Sequence, residues 1–136
     1  RLENIAMLRE IAQVIYCDEN IVMRHKLNAR ATEAVAPVLK EILAQGAAEG
    51  SFDVFDTEEV ALLVLHVSNM MAEQQTRTLL GSELTPEAIS KVEKRFNLFL
   101  DILERILGAP RGSLERPHDD LIEGMCRQVA ARGWKQ

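Results

Sequence analysis

The polar side chains that could recognise a small molecule lie inside the most apolar stretch of the chain. Residues Val60 to Ala72 read VALLVLHVSNMMA, and His66 and Asn69 interrupt this run three positions apart. Residues three or four apart share one side of a helix, and Glu73 extends that side further. Such groups need hydrogen-bond partners, and a bound molecule could be one. Bonds to neighbouring helices, or a place across a dimer interface, would also satisfy them, so both interpretations stay open.

Other candidate ligand-binding residues lie next to this run or on earlier helices. Met70 is flexible enough to line an adaptable pocket, although ordinary core packing is the better explanation of this residue. Arg24, His25 and Asn28 could reach inward to orient a polar or anionic group, although a solvated face is the default expectation for Arg24. Tyr16 closes the first helix. The candidate ligand-binding set is His66, Asn69, Met70, Glu73, His25, Asn28 and Tyr16.

The sequence offers no pattern typical of an active site or a metal centre. It has no recognisable Ser/His/Asp set or phosphate-binding loop, and carboxylate pairs such as Glu58 and Glu59 are typical of helix starts. His25, His66 and His118 never occur at a spacing that places two metal ligands on one helix face. We therefore predict a protein that is not an enzyme and that uses neither a cofactor nor a metal.

Length and charge favour one acidic domain that does not itself bind nucleic acid. The 136 residues suit a single domain, and the formal net charge is -5. The 16 basic residues are interspersed with 21 acidic ones, whereas phosphate backbones are bound by clustered Lys and Arg. Cys17 and Cys126 form no CxxC pattern, which favours reduced thiols in a cytoplasmic protein. The sequence opens as though already inside a helix, which suggests a fragment of a longer protein.

The apolar run belongs to a helix expected from Asp56 to about Leu80, and this helix is apolar on every side. It is too short to span a membrane and must be covered by protein. A second helix is expected from Pro86 to Leu107 and carries apolar residues at heptad spacing. Since a loop of only about four residues separates the two helices, they are expected to form an antiparallel hairpin. A twofold-related chain could complete a four-helix bundle. The candidate dimer-interface residues are Val92, Phe96, Phe99, Leu103, Ile106, Val67, Met71 and Gln74.

The remaining segments also favour helices, which makes the predicted class all-α with about five to six helices. One amphipathic helix is expected from Leu2 to about Cys17. The next is capped by Asp18 or Asn20, reaches Ala44 or beyond, and kinks or restarts near Pro37. Phe52 and Phe55 are expected to fill the gap before the central helix, and a last helix is expected from about Pro117.

Two stretches resemble the C-terminal regulatory domain of TetR-family transcriptional repressors. The first is PVLKEILAQGAAEGSF, residues 37–52, which runs into DVFDTEEVALLV. The second is ERILGAPRGSLE, residues 104–115. The resemblance covers most of the chain and rests on scaffold motifs that specify no ligand. The N-terminal helix-turn-helix of that family is absent from these 136 residues.

The resemblance implies a regulatory domain over residues 1–136 that senses an effector and forms a homodimer through an intermolecular four-helix bundle. An unidentified small molecule would bind among the helices and tilt the first one, which releases the intact protein from DNA. DNA would be contacted only through the missing N-terminal domain, and no membrane is involved. The alternative is a helical homodimerisation or protein-interaction module without a small-molecule ligand.

Overall fold

The computed structural model describes residues 2–81, 85–116 and 124, and within these ranges every regular element is helical. The α-helices are α1 (Leu2–Tyr16), α2 (Ile21–Ala48), α3 (Thr57–Gly81) and α4 (Pro86–Leu107), with a single 3-10 turn over Asp18–Asn20 between α1 and α2. The all-α prediction is confirmed. The expected fifth or sixth helix is not among the described elements, because α2 is unbroken and the helix expected from Pro117 lies outside the described residues.

The long helix α2 continues through Pro37, so the restart expected there as one alternative is wrong, and the kink expected as the other stays a prediction. Proline removes one amide donor, but α2 is bonded to α3 on both sides of this position. The Asn69 amide donates to the Thr32 hydroxyl at 3.2 Å, and the Lys40 ammonium donates to Glu58 at 2.8 Å. Asn20 makes no side-chain cap at the start of α2. The side-chain amide of Asn20 donates instead to the Val14 carbonyl of α1, at 2.7 Å.

The glycine-rich turn after α2 is built around a close contact between Gly46 and Phe52. Gly50 has a left-handed backbone with φ of 78°, and the Ser51 amide donates to the Gly46 carbonyl at 2.8 Å. This is the pattern in which a helix ends on glycine. The Phe52 ring lies so near that a Cβ on Gly46 would be 2.2 Å from it. Phe52 therefore packs into the gap as predicted, whereas Phe55 is fully exposed and the prediction for it is wrong.

Two predicted helix starts are confirmed by their capping bonds. The Asp56 carboxylate accepts from the Glu59 amide at 3.0 Å at the start of α3. Thr85 accepts from the Ala88 amide at 3.2 Å at the start of α4, with proline in the first helical turn. Side-chain oxygens at this position satisfy amides that lack a partner within the helix. The sequence thus encodes both starts locally.

The core lies where α2, α3 and the end of α4 meet. Its buried members are Leu43, Ala61, Val64 and Leu107. The backbone joins the same region, because the Asp53 amide donates to the Leu107 carbonyl at 2.8 Å. On the other side of α3, Leu63 and Met70 remain about half exposed, so this chain alone does not cover the central helix all round. Within the described ranges, no helix is long and apolar enough to cross a membrane.

Candidate functional site

A cavity of about 490 Å³ lies between α2 and α3, on the side of α3 that faces away from the core. The two helices are antiparallel neighbours, because Arg24 pairs with Glu73 at one end and Lys40 pairs with Glu58 at the other. The cavity occupies the end near Arg24 and opens to solvent. It is lined by His25, Asn28, Ala29, Thr32, His66, Asn69, Met70 and Glu73.

Six of the seven candidate ligand-binding residues lie together around this cavity. Four of them, His66, Asn69, Met70 and Glu73, come from α3, and the other two, His25 and Asn28, come from α2. Tyr16 does not line the cavity. Its ring lies under the Arg24 guanidinium instead, at 5.2 Å from the ring centroid. The geometry brings the residues together, and their role in binding stays a prediction.

The cavity wall offers groups that both donate and accept hydrogen bonds. Asn69 already donates to Thr32, which leaves the Asn69 carbonyl oxygen and the Thr32 hydroxyl proton for other partners. His25 of α2 and His66 of α3 are both exposed and line the cavity. Ala29 and Met70 supply the apolar part of the wall. The wall is more apolar than polar, so it suits a small molecule with an apolar body and a few hydrogen-bonding groups.

Behind the cavity, Arg24 is almost completely buried, so the predicted solvated position of Arg24 is wrong. Only 4% of the residue is exposed. Its Nη2 donates to the Glu73 Oε1 at 3.3 Å, and its Nη1 donates to the Ile15 carbonyl at 3.3 Å. A buried guanidinium needs such partners because desolvation of a charge is costly. Arg24 therefore links α1, α2 and α3.

Glu73 is also bound by a second arginine, Arg77. The Arg77 Nε donates to the same Glu73 Oε1 at 3.1 Å, and the Arg77 Nη1 lies 3.7 Å from the Asp18 carboxylate. Among the described residues that line the cavity, Glu73 is the only acidic one, and both guanidinium groups offset its charge. The wall therefore presents no uncompensated formal charge.

The candidate ligand-binding set omitted three residues of this site: Ala29, Thr32 and Arg24. Ala29 and Thr32 lie four and seven positions after His25, so they continue the same stripe of α2. Extending the helical stripe from His25 would have found both. The burial of Arg24 depends on Glu73, a partner 49 positions away, which no local pattern reveals.

A smaller cavity of about 220 Å³ lies further along the same pair of helices. It is lined by Glu33, Ala36, Pro37, Lys40, Glu58 and Leu62. The hydrogen bond and the charge of Glu58 raise the pKa of Lys40 above its ordinary value. Both partners are exposed, so this pair contributes little to stability.

The candidate dimer-interface residues are distributed between covered and open positions. Val92 is buried within the chain, and its backbone carbonyl accepts a hydrogen bond from the side-chain amide of Gln75 at 2.8 Å. Phe96 and Phe99 are half-buried, and their rings lie 6.4 Å apart between centroids in a tilted arrangement. Leu103 and Ile106 pack against the core, Val67 and Met71 are half-buried, and Gln74 is exposed. Their role in dimerisation stays a prediction.

The ERILGAPRGSLE motif comprises the end of α4 and a following loop that is held by the buried Glu104. The Glu104 carboxylate accepts from the Gly112 amide at 2.9 Å and from the Leu114 amide at 3.1 Å. These bonds, with the nearby Arg116, lower the pKa of Glu104. Arg116 also pairs with Asp101, and this hydrogen bond lowers the pKa of Asp101. The motif therefore has a structural explanation that is independent of any ligand.

Among the described residues, no group of three or more His, Cys, Asp or Glu side chains could hold a metal ion. Comparison of the chain with protein-family models, with curated proteins and with solved structures gave no match.

Proposed function

We propose that the chain is the effector-sensing and dimerisation domain of a TetR-type transcriptional repressor. The observation that carries this proposal is the cavity between α2 and α3, whose wall combines hydrogen-bonding side chains with an apolar edge. Its volume lies in the range of small-molecule sites. In the intact protein, a bound effector would favour the arrangement that does not fit DNA.

The effector class that this wall favours is a small, uncharged molecule with an apolar body and a few hydrogen-bonding groups. Among the described residues that line the cavity, Glu73 carries the only formal charge, and Arg24 and Arg77 already bind it. Because these charges offset one another, the wall offers neither a cation nor an anion an unpaired partner. A neutral molecule would instead bond to Asn69 and Thr32 while its apolar body contacts Met70.

A thermal-shift screen of the whole chain tests this proposal. The set should be chemically broad and include benzamidine, benzamide and benzoate, which share a shape but differ in charge. We expect stabilisation by neutral compounds of this class, because ligand that binds only the folded state raises its stability. Ala29→Phe fills the cavity and should abolish the shift, whereas Ala31→Phe adds the same side chain to an exposed site that does not line the cavity.

The outcomes of the screen separate the alternatives. Stabilisation that Ala29→Phe removes and Ala31→Phe preserves would support an effector site. No stabilisation by any compound, or stabilisation that is equal in the two variants, would contradict it.

One observation favours the alternative function of a protein-interaction module without a ligand. Large apolar side chains are exposed on α2, including Val22, Val38 and Ile42, and Phe55 is fully exposed. Exposed apolar surface is common where proteins associate. A chain that forms a dimer by light scattering but binds no compound in the screen would match this alternative better than the effector-sensing proposal.

A further inference from the structure

We infer that Glu73 couples the cavity to the carboxyl end of α1, so that filling the cavity loosens the last turn of that helix. The contacts that provide this coupling, between Glu73 and the two arginines Arg24 and Arg77, are part of the fold itself. The inference depends on the proposed function only in treating the cavity as the place where an effector would act.

One oxygen of Glu73 holds both of the cations that anchor this end of α1. Glu73 lines the cavity, and its Oε1 accepts from Arg24 at 3.3 Å and from Arg77 at 3.1 Å. Arg24 reaches on to the Ile15 carbonyl, and Arg77 lies 3.7 Å from the Asp18 carboxylate in the following turn. A molecule that moves the Glu73 carboxylate therefore disturbs both anchors together.

The carboxyl end of α1 has little else to hold it. None of the described side chains of α1 is buried, and Ile11 and Val14 are about half exposed. The last carbonyls of a helix lack partners within it, so the bond from Arg24 to Ile15 satisfies one of them. The Asn20 amide satisfies the Val14 carbonyl without contacting the cavity. Loss of the Glu73 contacts should therefore free part of this turn without unfolding the domain.

The ion pair between Lys40 and Glu58 provides a matched control within the same pair of helices. It also joins α2 to α3, but at the opposite end, and both of its side chains are exposed. Glu58→Gln and Glu73→Gln remove the same charge by the same isosteric change. Only Glu73→Gln weakens contacts that lead to α1, because the glutamine oxygen still accepts hydrogen bonds but no longer carries the charge that binds Arg24 and Arg77.

Amide hydrogen exchange on the whole chain without added ligand tests the coupling. We expect Glu73→Gln to accelerate exchange at residues 12–17 about tenfold, which corresponds to roughly 1.4 kcal/mol of local opening. Glu58→Gln should leave these amides unchanged, and amides of α4 should be unaffected in both variants. Glu73→Asp, which keeps the charge but withdraws the carboxylate, should give a smaller increase and serves if the glutamine variant does not fold.

A double-mutant cycle then tests whether the cavity acts through Glu73. Ala29→Phe should accelerate exchange at residues 12–17 in the native background and add nothing when combined with Glu73→Gln. Ala31→Phe should have no effect in either background. Unchanged exchange in Glu73→Gln, no effect of Ala29→Phe alone, or additive effects in the double variant would each overturn the inference. A ligand screen without hits would contradict the proposed function and leave this cycle intact.

Discussion

Replacement of Arg24 by alanine should destabilise the domain strongly, because the buried guanidinium has three kinds of partner. It donates to the Glu73 carboxylate and to the Ile15 carbonyl, each at 3.3 Å, and lies 5.2 Å from the centre of the Tyr16 ring. Both hydrogen bonds are long, so each contributes toward the lower end of the range for charged groups. With the ring contact, the loss comes to about 3 kcal/mol.

Arg77 provides the comparison, because its guanidinium binds the same oxygen of Glu73 from a half-exposed position. Arg77→Ala should cost less than about 1 kcal/mol, as exposed ion pairs do. Arg24→Lys keeps the charge but loses the planar fork, so it should fall between the two alanine variants.

Urea denaturation followed by circular dichroism measures these free energies of unfolding. All variants should be compared at one protein concentration, since any dimerisation would make stability depend on concentration. If Arg24→Ala lay within about 0.5 kcal/mol of the native chain, the range of ordinary surface substitutions, the structural role given to Arg24 would be refuted. Equal losses for Arg24→Ala and Arg77→Ala would refute it as well.

Further predictions concern the turn after α2, the loop after α4 and the dimer. Gly46→Ala should destabilise the native chain by about 1 kcal/mol in urea denaturation, because overlap with Phe52 outweighs the better helix propensity of alanine. When Phe52 is also replaced by alanine, the overlap is gone and Gly46→Ala should become stabilising. The fold lowers the pKa of Glu104 below the ordinary glutamate value of 4.5. The ionised carboxylate therefore stabilises the fold fully when the pH lies above 4.5, and this stabilisation is lost progressively as the pH falls below 4.5. Acid titration should therefore show a flatter loss of stability below pH 4.5 in Glu104→Gln, and an unchanged profile would contradict the role of the loop. Light scattering should show a dimer that Phe99→Glu dissociates and Val38→Glu does not, and a native chain that is monomeric at micromolar concentration would contradict the dimer.

The sequence predicts the helix boundaries well where the signal is local. Asp56 and Thr85 occupy capping positions, and the structure confirms that both accept a hydrogen bond from an amide in the first turn of their helices. The grouping of His66, Asn69 and Glu73 on one side of α3 follows from helical spacing alone. These features depend on residues within a few positions of one another.

The features that could not be predicted depend on distant partners. Pro37 favours a break in α2, but the helix is continuous and contacts α3 on both sides of this position. Phe52 and Phe55 look equivalent in sequence, yet only Phe52 meets the space left by Gly46. The burial of Arg24 likewise requires the packing of α1 and α3 around it. In each case the tertiary contact decides the outcome.

The most direct test of the effector site is a map of amide chemical shifts on the isotopically labelled chain. The compounds would be the stabilising molecules from the thermal-shift screen, or the benzamide series if the screen gives none. We expect shifts at residues 25–32 and 66–73 that saturate with concentration, with little change at residues 89–106. Saturable shifts confined to residues 89–106, or none anywhere, would contradict the claim that the space between α2 and α3 receives the effector.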